Sequence, residues 1–264
     1  MKKKRIIPIF LLNDMQLVQS RNFHDFEVIG NPFLSIKRFG EWMIDELIYL
    51  NITRIKNLEH EKCEIKKFTK LIKEISKHNF MPITIGGKIK NLNQIYAYLK
   101  NGADKISINS HAFKNPKFIN EAAREFGAQC IVVSIDVKKI NNKYKVFIDN
   151  GSTNTNIDLV DWVDKIQSEG AGEIFLNSID RDGSKTGYDF KILDKLKNKI
   201  KIPLIFCGGV GHWKDFKMAL KKKEIDAVAA ANIFHHFDQS DYLAKDYLIK
   251  NKIKNIRPPN FFKD

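Results

Sequence analysis

Cysteine is scarce in this chain: 264 residues hold three, Cys63, Cys130 and Cys207, and none forms a CxxC pair. An odd number spaced so widely argues against a disulfide scaffold or a zinc site. Cys130 and Cys207 stand in apolar runs and are expected to be buried thiols. The seven histidines show no HxH or HExxH spacing. The neighbours His235 and His236 point apart on any single element and read as structural. No glycine-rich loop leads into a Lys-Ser/Thr pair, so a nucleotide cofactor held by a P-loop is not expected, and no other cofactor is indicated. No apolar run is long enough to span a bilayer. The start, MKKKRIIPIFLLND, imitates a signal peptide, but its apolar run is short, meets Asn13 and Asp14, and has no small-residue cleavage site after it. It reads as a first strand, and a cytoplasmic protein is expected.

Acidic residues are also in short supply, 31 against 45 Lys+Arg, giving a formal charge of +14. Such a balance suits nucleic acid, an acidic membrane or phosphorylated ligands. The lysines are dispersed along a chain that is also rich in Ile and Asn. The excess is therefore read as compositional, and neither a nucleic acid nor a membrane is expected as a partner.

What the chain has in quantity is alternation. Apolar runs of strand length recur at Arg5–Leu11, Glu46–Ile52, Pro82–Ile85, Lys105–Ile108, Cys130–Ile135, Glu173–Leu176, Pro203–Phe206 and Ala227–Ala231. Segments of helical spacing separate or follow them: Leu34 to Ile44, Ile65 to Ile75, Leu92 to Leu99, Phe118 to Phe126, Leu159 to Ile166, Ile192 to Leu196, Phe216 to Leu220 and Tyr242 to Leu248. Strands and helices alternating in this way imply a parallel sheet, and near-continuous apolar strands suit burial on both faces. The expected fold is α/β, a (β/α)8 TIM barrel formed by residues 1–264 as one domain.

An internal repeat supports closure. PITIGG at Pro82 resembles PLIFCGG at Pro203, and the distances from Gly87 to Gly209 and from Asp104 to Asp226 are both 122 positions. DELIYLNITR, from Asp45, echoes GEIFLNSIDR, from Gly172. The chain thus reads as two half-barrels. Two connections are unusually long, Asn13–Asn31 after the first strand and Lys138–Asn156 after the fifth. Both begin at the ligand-binding end, where a long loop is usually a lid or a binding loop. The second contains Tyr144 to Phe147, expected as a small hairpin.

The symmetry places charge-binding groups. A Gly-Gly pair after a buried strand lets backbone N–H groups approach an anion closely. Gly86-Gly87 and Gly208-Gly209 each supply one, completed by Asn109-Ser110 and Ala231-Asn232 on the adjacent strand ends. Strands three and seven lie opposite each other in an eight-strand ring, which suits an elongated ligand with a phosphate at each end. Between the two sites fall the candidate acid–base groups Asp136, Asp180 and Asp182. These lack companion ligands at useful spacing, so no metal is expected. The repeat sets Leu11 opposite Asp136, and an alkyl group cannot transfer a proton. Where strands begin, Arg5, Glu46, Lys105 and Glu173 can form either a ring closing the core or a gate that admits something small and polar.

These stretches, above all GAGEIFLNSIDRDGSKTGYD from Gly170 together with PITIGGKI, ADKISINS, VVSID, IFCGGVG and DAVAAANIFH, resemble the cyclase subunit of imidazole glycerol phosphate synthase over almost the whole length. The resemblance implies a glutaminase subunit docked at the strand-start (N-terminal) face, and ammonia passing through the barrel. At the other face the ammonia would react with a bisphosphorylated ribulosyl-formimino aminoimidazole carboxamide ribonucleotide, giving imidazole glycerol phosphate and an aminoimidazole carboxamide ribotide. It implies that Gly87, Asn109 and Ser110 bind one phosphate, with Asp182, Gly183, Gly208, Gly209, Ala231 and Asn232 at the other. Arg5, Glu46, Lys105 and Glu173 match the family's gate, and Asp136 falls on one catalytic aspartate.

The departures cluster at the opposite face. The family's second catalytic aspartate is Leu11. An expected acidic residue is Asn51, an expected lysine is Gln19, and the third glycine of a GGG run is Lys88. Three functions fit this pattern. The chain is a cyclase-type subunit relying on Asp136; or a paralogue conveying glutaminase-derived ammonia to other chemistry, such as amidino-sugar formation for a surface glycan; or a non-catalytic scaffold that activates a glutaminase.

Overall fold

The computed structural model describes residues 3–33, 44–78, 81–236 and 239–258. Eight strands form its centre: β1 Arg5–Asn13, β4 Leu47–Asn51, β5 Ile83–Gly86, β6 Lys105–Ile108, β7 Ile131–Ile140, β10 Glu173–Ser178, β11 Leu204–Cys207 and β12 Ala227–Ala230. Each pairs in parallel with the next, and β12 returns to β1, where Arg5 faces Ala227 and Pro8 faces Ala230. The expected (β/α)8 barrel is therefore closed. Closure leaves the ring without an edge, so its ladder groups are satisfied within it.

The described helices are α1 Leu58–His78, α2 Leu92–Lys100, α3 Ser110–Lys114, α4 Lys117–Phe126, α5 Leu159–Ser168, α6 Lys191–Lys195, α7 Trp213–Leu220, α8 Ile233–His236 and α9 Ser240–Lys250. Their starts are set locally: Asn91 Oδ1 accepts the Gln94 N–H at the head of α2 (3.0 Å), and Asp215 accepts the N–H groups of Gly211 and His212 at the head of α7 (both 2.9 Å). The helix expected from Leu34 lies almost wholly outside the described residues. Helices α3 and α8, of five and four residues, were not anticipated. None of the described helices is long and apolar enough to cross a membrane.

Two cores result. The larger lies between strands and helices, with Phe10, Tyr49, Phe68, Tyr98, Phe206, Phe216 and Phe234. The smaller fills the barrel with Ile7, Ile9, Ile48, Val132, Phe175, Ile205, Cys207, Ala227 and Ala229. Successive residues of a strand point to opposite faces, so β1, β4, β7, β10, β11 and β12 send alternate side chains into this inner core, while the isoleucines of β5 and β6 pack in the outer one. Cys207 is buried as expected. Cys130 is only partly buried, because it ends a 3-10 turn, Ala128–Cys130, ahead of its strand.

Both long connections fold as antiparallel hairpins. β2 Gln16–Arg21 and β3 Asp25–Gly30 extend β1; β8 Lys143–Ile148 and β9 Thr153–Asp158 extend β7. The hairpin expected around Tyr144 is therefore present, and a matching one follows the first strand.

Helix α9 closes the chain onto β1 through a buried ion pair. Lys245 Nζ donates to Asp45 Oδ1 at 2.8 Å, and the other carboxylate oxygen accepts the Ile6 N–H at 2.9 Å. Lys245 is fully buried. Burial lowers its pKa, and the Asp45 carboxylate opposes that shift. Removing one partner of such a pair leaves an uncompensated charge and costs about 3–5 kcal/mol. Lys245→Met should lower unfolding stability by about that amount in urea titrations, whereas Lys250→Met, removing an exposed partner of Asp246, should leave the urea midpoint nearly unchanged.

Candidate active site

At the strand-start end the four expected charges meet. Arg5 Nη1 donates to Glu46 Oε2 at 2.5 Å, and its other terminal nitrogen donates to Glu173. Lys105 Nζ bridges Glu46 at 3.1 Å and Glu173 at 2.8 Å. Thr84 Oγ1 donates to the remaining Glu46 oxygen at 2.7 Å. Signs alternate around a closed ring whose carboxylates are buried and whose cations are 21% exposed. Burial pulls the Arg5 guanidinium down, but Glu173 and Glu46 outweigh it and leave Arg5 raised.

The same strands fix what stands further up. Alternation carries Arg5 to Ile7, Ile9 and Leu11; Lys105 to Ser107 and Asn109; Glu173 to Phe175 and Asn177. At the strand ends Ile9, Leu11, Ser107, Asn109, Phe175 and Asn177, with Ser134, Asp136 and Cys207, line a cavity of about 430 Å³. Its opposite ends are the two Gly-Gly turns. A Cβ at Gly87 (φ +100°) would collide with the Asn51 backbone, and one at Gly209 (φ +94°) with the Gly187 carbonyl. Both positions therefore need glycine for conformation and for space.

Asp136 is the buried acid of the cavity. Asn109 Nδ2 donates to its Oδ2 at 2.9 Å. Burial pushes its pKa up, the Asn109 hydrogen bond opposes this, and the Asp182 charge adds to it, placing it at about 7. Leu11 lines the same cavity from the strand four places away around the ring. One wall thus has a protonatable carboxyl, while the other has the alkyl groups of Leu11, Leu50 and Ile52.

Asp182 lines the cavity too, but its carboxylate is already engaged: Ser20 Oγ donates to it at 2.6 Å and the Phe23 N–H at 3.1 Å. Burial raises its pKa and these two hydrogen bonds oppose the shift. Asn232 Nδ2 donates to the Ser20 carbonyl at 2.9 Å. Asp182 and Asn232 thereby hold the β2–β3 hairpin over the mouth. On the other side Ser110 Oγ accepts the Asp149 N–H at 2.9 Å, and Asn150 Nδ2 donates to the Ile52 carbonyl at 3.0 Å, fastening the turn between β8 and β9. Phe23 lies against Gly151, so the two hairpins meet there.

Gly87, Asn109, Ser110, Asp182, Gly183, Gly208, Gly209, Ala231 and Asn232 all line this one cavity. Asp180 does not: it is exposed and accepts the Lys139 N–H at 2.7 Å, because the turn Ile179–Arg181 buries Ile179 and turns Asp180 away. Its expected place among the acid–base groups is corrected. Gln19 also stays out of the cavity and pairs with Glu27 across the hairpin at 2.5 Å. Sequence reasoning missed Ser107, Ser134 and Asn177, although counting in twos from Lys105 and Glu173 would have found the first and last. Ser107 Oγ and Asn177 Oδ1 are buried with no hydrogen-bond partner among the described residues. Away from the cavity, Asp14, His60 and Glu64 bring ligand atoms within 4.8 Å of one another. His60 Nδ1 accepts the Lys56 N–H, which sets the ring proton on Nε2, the nitrogen 3.8 Å from Asp14. That tautomer leaves Nε2 without a lone pair for a metal.

Comparison with known proteins adds a family to this geometry. The pattern of the family described as histidine biosynthesis protein matches residues 5–239. The chain is 42% identical over 254 residues to imidazole glycerol phosphate synthase subunit HisF of Hydrogenobaculum sp., covering 96% of this chain and 98% of that one. It is 40% identical over 255 residues to the HisF subunit of Lactococcus lactis subsp. cremoris, covering 96% of each. A Vibrio vulnificus relative whose name has the label hisF2 is 39% identical over 257 residues, covering 97% and 92%.

The raised pKa of Asp136 has a stability consequence. Below the unfolded value near 4 the carboxyl is neutral in both states and burial is unopposed; as pH rises to about 7 that stability is lost. Asp136→Asn should remove this loss. Its stability relative to the parent should rise between pH 4 and pH 8 by a few kcal/mol, on the order of 1.4 kcal/mol per pH unit between the two pKa values. Parallel denaturation curves at both pH values would refute the assignment.

Proposed function

Because the chain belongs to the histidine biosynthesis protein family, we propose that it is the cyclase-type barrel subunit of a glutamine amidotransferase of the imidazole glycerol phosphate synthase kind. In this reading a glutaminase subunit docks at the strand-start face, and ammonia enters through the ring of Arg5, Glu46, Lys105 and Glu173. It crosses the barrel and meets a bisphosphorylated ribulosyl-formimino aminoimidazole carboxamide ribonucleotide in the cavity. The products are imidazole glycerol phosphate and the aminoimidazole carboxamide ribotide. The enzyme is a lyase of histidine biosynthesis.

The observation that carries the reading is the position of Asp136, buried at the mouth of a barrel whose floor is a closed ion ring. A carboxyl with a pKa of about 7 can give and take a proton at neutral pH, as nitrogen addition and ring closure require; such help is typically worth about 10²–10⁴-fold. Asn109 positions it. The backbone at Gly87 with Ser110, and at Gly183, Gly208 and Gly209 with Ala231 and Asn232, would seat the two phosphates. With all four ring charges paired, passage requires an ion pair to part. Ammonia passes more easily than ammonium because it brings no charge into that ring.

Leu11 favours a second reading. With one proton-transfer group and an alkyl wall facing it, the cavity suits a protein that receives ammonia and conveys it to other chemistry, amidino-sugar formation being the candidate.

Turnover of the bisphosphorylated ribonucleotide with an ammonium salt and no partner, followed by ultraviolet absorbance, separates the two. The cyclase reading expects turnover that falls about 10²–10⁴-fold in Asp136→Ala and rises in Leu11→Asp; no turnover in either the parent or Leu11→Asp would sink it. Lys105→Ala or Glu46→Ala should depress glutamine-driven activity of the complex more than ammonium-driven activity. Equal losses would make the ring purely structural.

A further inference from the structure

Lys88 follows the Gly86-Gly87 turn and lines the cavity beside Gly87, Ser110, His111 and Lys114. Two things about it are unfavourable in the free protein. Its backbone has φ +61°, the left-handed region that a residue with a Cβ adopts at an energetic cost. Its side chain is half-buried, and burial lowers its pKa.

The charges nearest to it do not offset this. Asp149 is paired with Lys114 at 3.1 Å, and Glu61 with Lys90 at 2.5 Å; Arg54 and Lys90 add repulsion. Among the described residues Lys88 has no ion-pair or hydrogen-bond partner. A partly desolvated, unpaired ammonium at one end of a cavity is a cost that a ligand can repay, and the fold holds it there on a left-handed backbone. The opposite end has no counterpart of the same kind: Lys185, also left-handed at φ +58°, is exposed to solvent.

We propose that Lys88 is an anion-recognition residue, whose ammonium binds the phosphate seated on the Gly87 backbone and makes that end of the cavity select a doubly charged phosphomonoester. The inference rests on the reading of the Gly87 end as a phosphate seat. It goes beyond that reading by giving a side chain, and not backbone alone, the larger share of the contact. A lysine is suited to the task as a compact point charge with three donors.

The test is the dissociation constant of the bisphosphorylated ribonucleotide, measured calorimetrically without ammonia so that nothing turns over, for the parent chain and for Lys88→Met, Lys88→Gly and Lys88→Arg. A hydrogen bond to a charged group is worth a tenfold to hundredfold in affinity, in round terms. Lys88→Met and Lys88→Gly should weaken binding by about that factor, while Lys88→Arg, keeping the charge, should retain more of the affinity than either. Lys88→Gly should also melt no lower than the parent, since glycine adopts φ > 0 without strain. Unchanged affinity in Lys88→Met overturns the proposal while leaving the phosphate-seat reading intact. A parent chain that binds no bisphosphorylated ribonucleotide overturns both. A marked loss of melting temperature in Lys88→Gly would make Lys88 a packing residue and overturn the proposal as well.

Discussion

The ring of Arg5, Glu46, Lys105 and Glu173 sets the phase of the whole barrel. Four charged side chains at strand starts can be buried together only if all point inward, where each carboxylate meets two cations. Once they do, the pleat leaves no choice about the rest: every second residue of those strands faces the interior. Such a network is weak support for stability, because desolvating the charges offsets their attraction. Its value is in register. A one-residue slip bringing Ile6, Leu47, Ile106 or Ile174 to the ring would put an alkyl group there and a charge among the helices.

That phase carries through to the mouth. Leu11 is inward because Arg5 is, and Asn109 is inward because Lys105 is. Asn109 then meets Asp136, and the pair stands in a cavity whose opposite wall is alkyl. The asymmetry between Asp136 and Leu11 breaks the approximate two-fold symmetry of the repeat at the place where proton transfer is decided. The floor departs from the repeat as well: Glu46 and Glu173 correspond, but Lys105 corresponds to Ala227 and Arg5 to Cys130. The two ends of the barrel therefore differ in chemistry, a charged floor and a half-alkyl mouth, and they face different partners in the proposed function.

The hairpins show a similar division of labour. Each leaves the barrel at the end of a strand in one half of the repeat, and each is fastened by polar groups that the sequence suggested for a ligand: Asp182 and Asn232 for the first, Ser110 for the second. These residues line the cavity and also hold its cover, so the contacts that shape the mouth and those available to a ligand come from the same side chains.

The sequence by itself determined the barrel. Alternating apolar runs and helical segments, the 122-residue repeat and the Gly-Gly pairs reflect local geometry, which depends only on neighbours along the chain. It also determined that Gly87 and Gly209 would be opposed and that Asp136 would lack an acidic partner at Leu11. Tertiary structure alone decided the rest. Asp136 has a pKa near 7 because burial, Asn109 and Asp182 act on it from three different strands or loops, and no spacing records that sum. Asp180 and Asp182 are two residues apart and look equivalent in sequence, yet a single 3-10 turn sends one to solvent and the other under a hairpin. Lys88 reads in the chain as a lost glycine. Only its backbone angle and its neighbours' existing ion pairs make it an unpaired charge at the end of a cavity, because which charges remain free is settled by contacts between segments far apart in the chain.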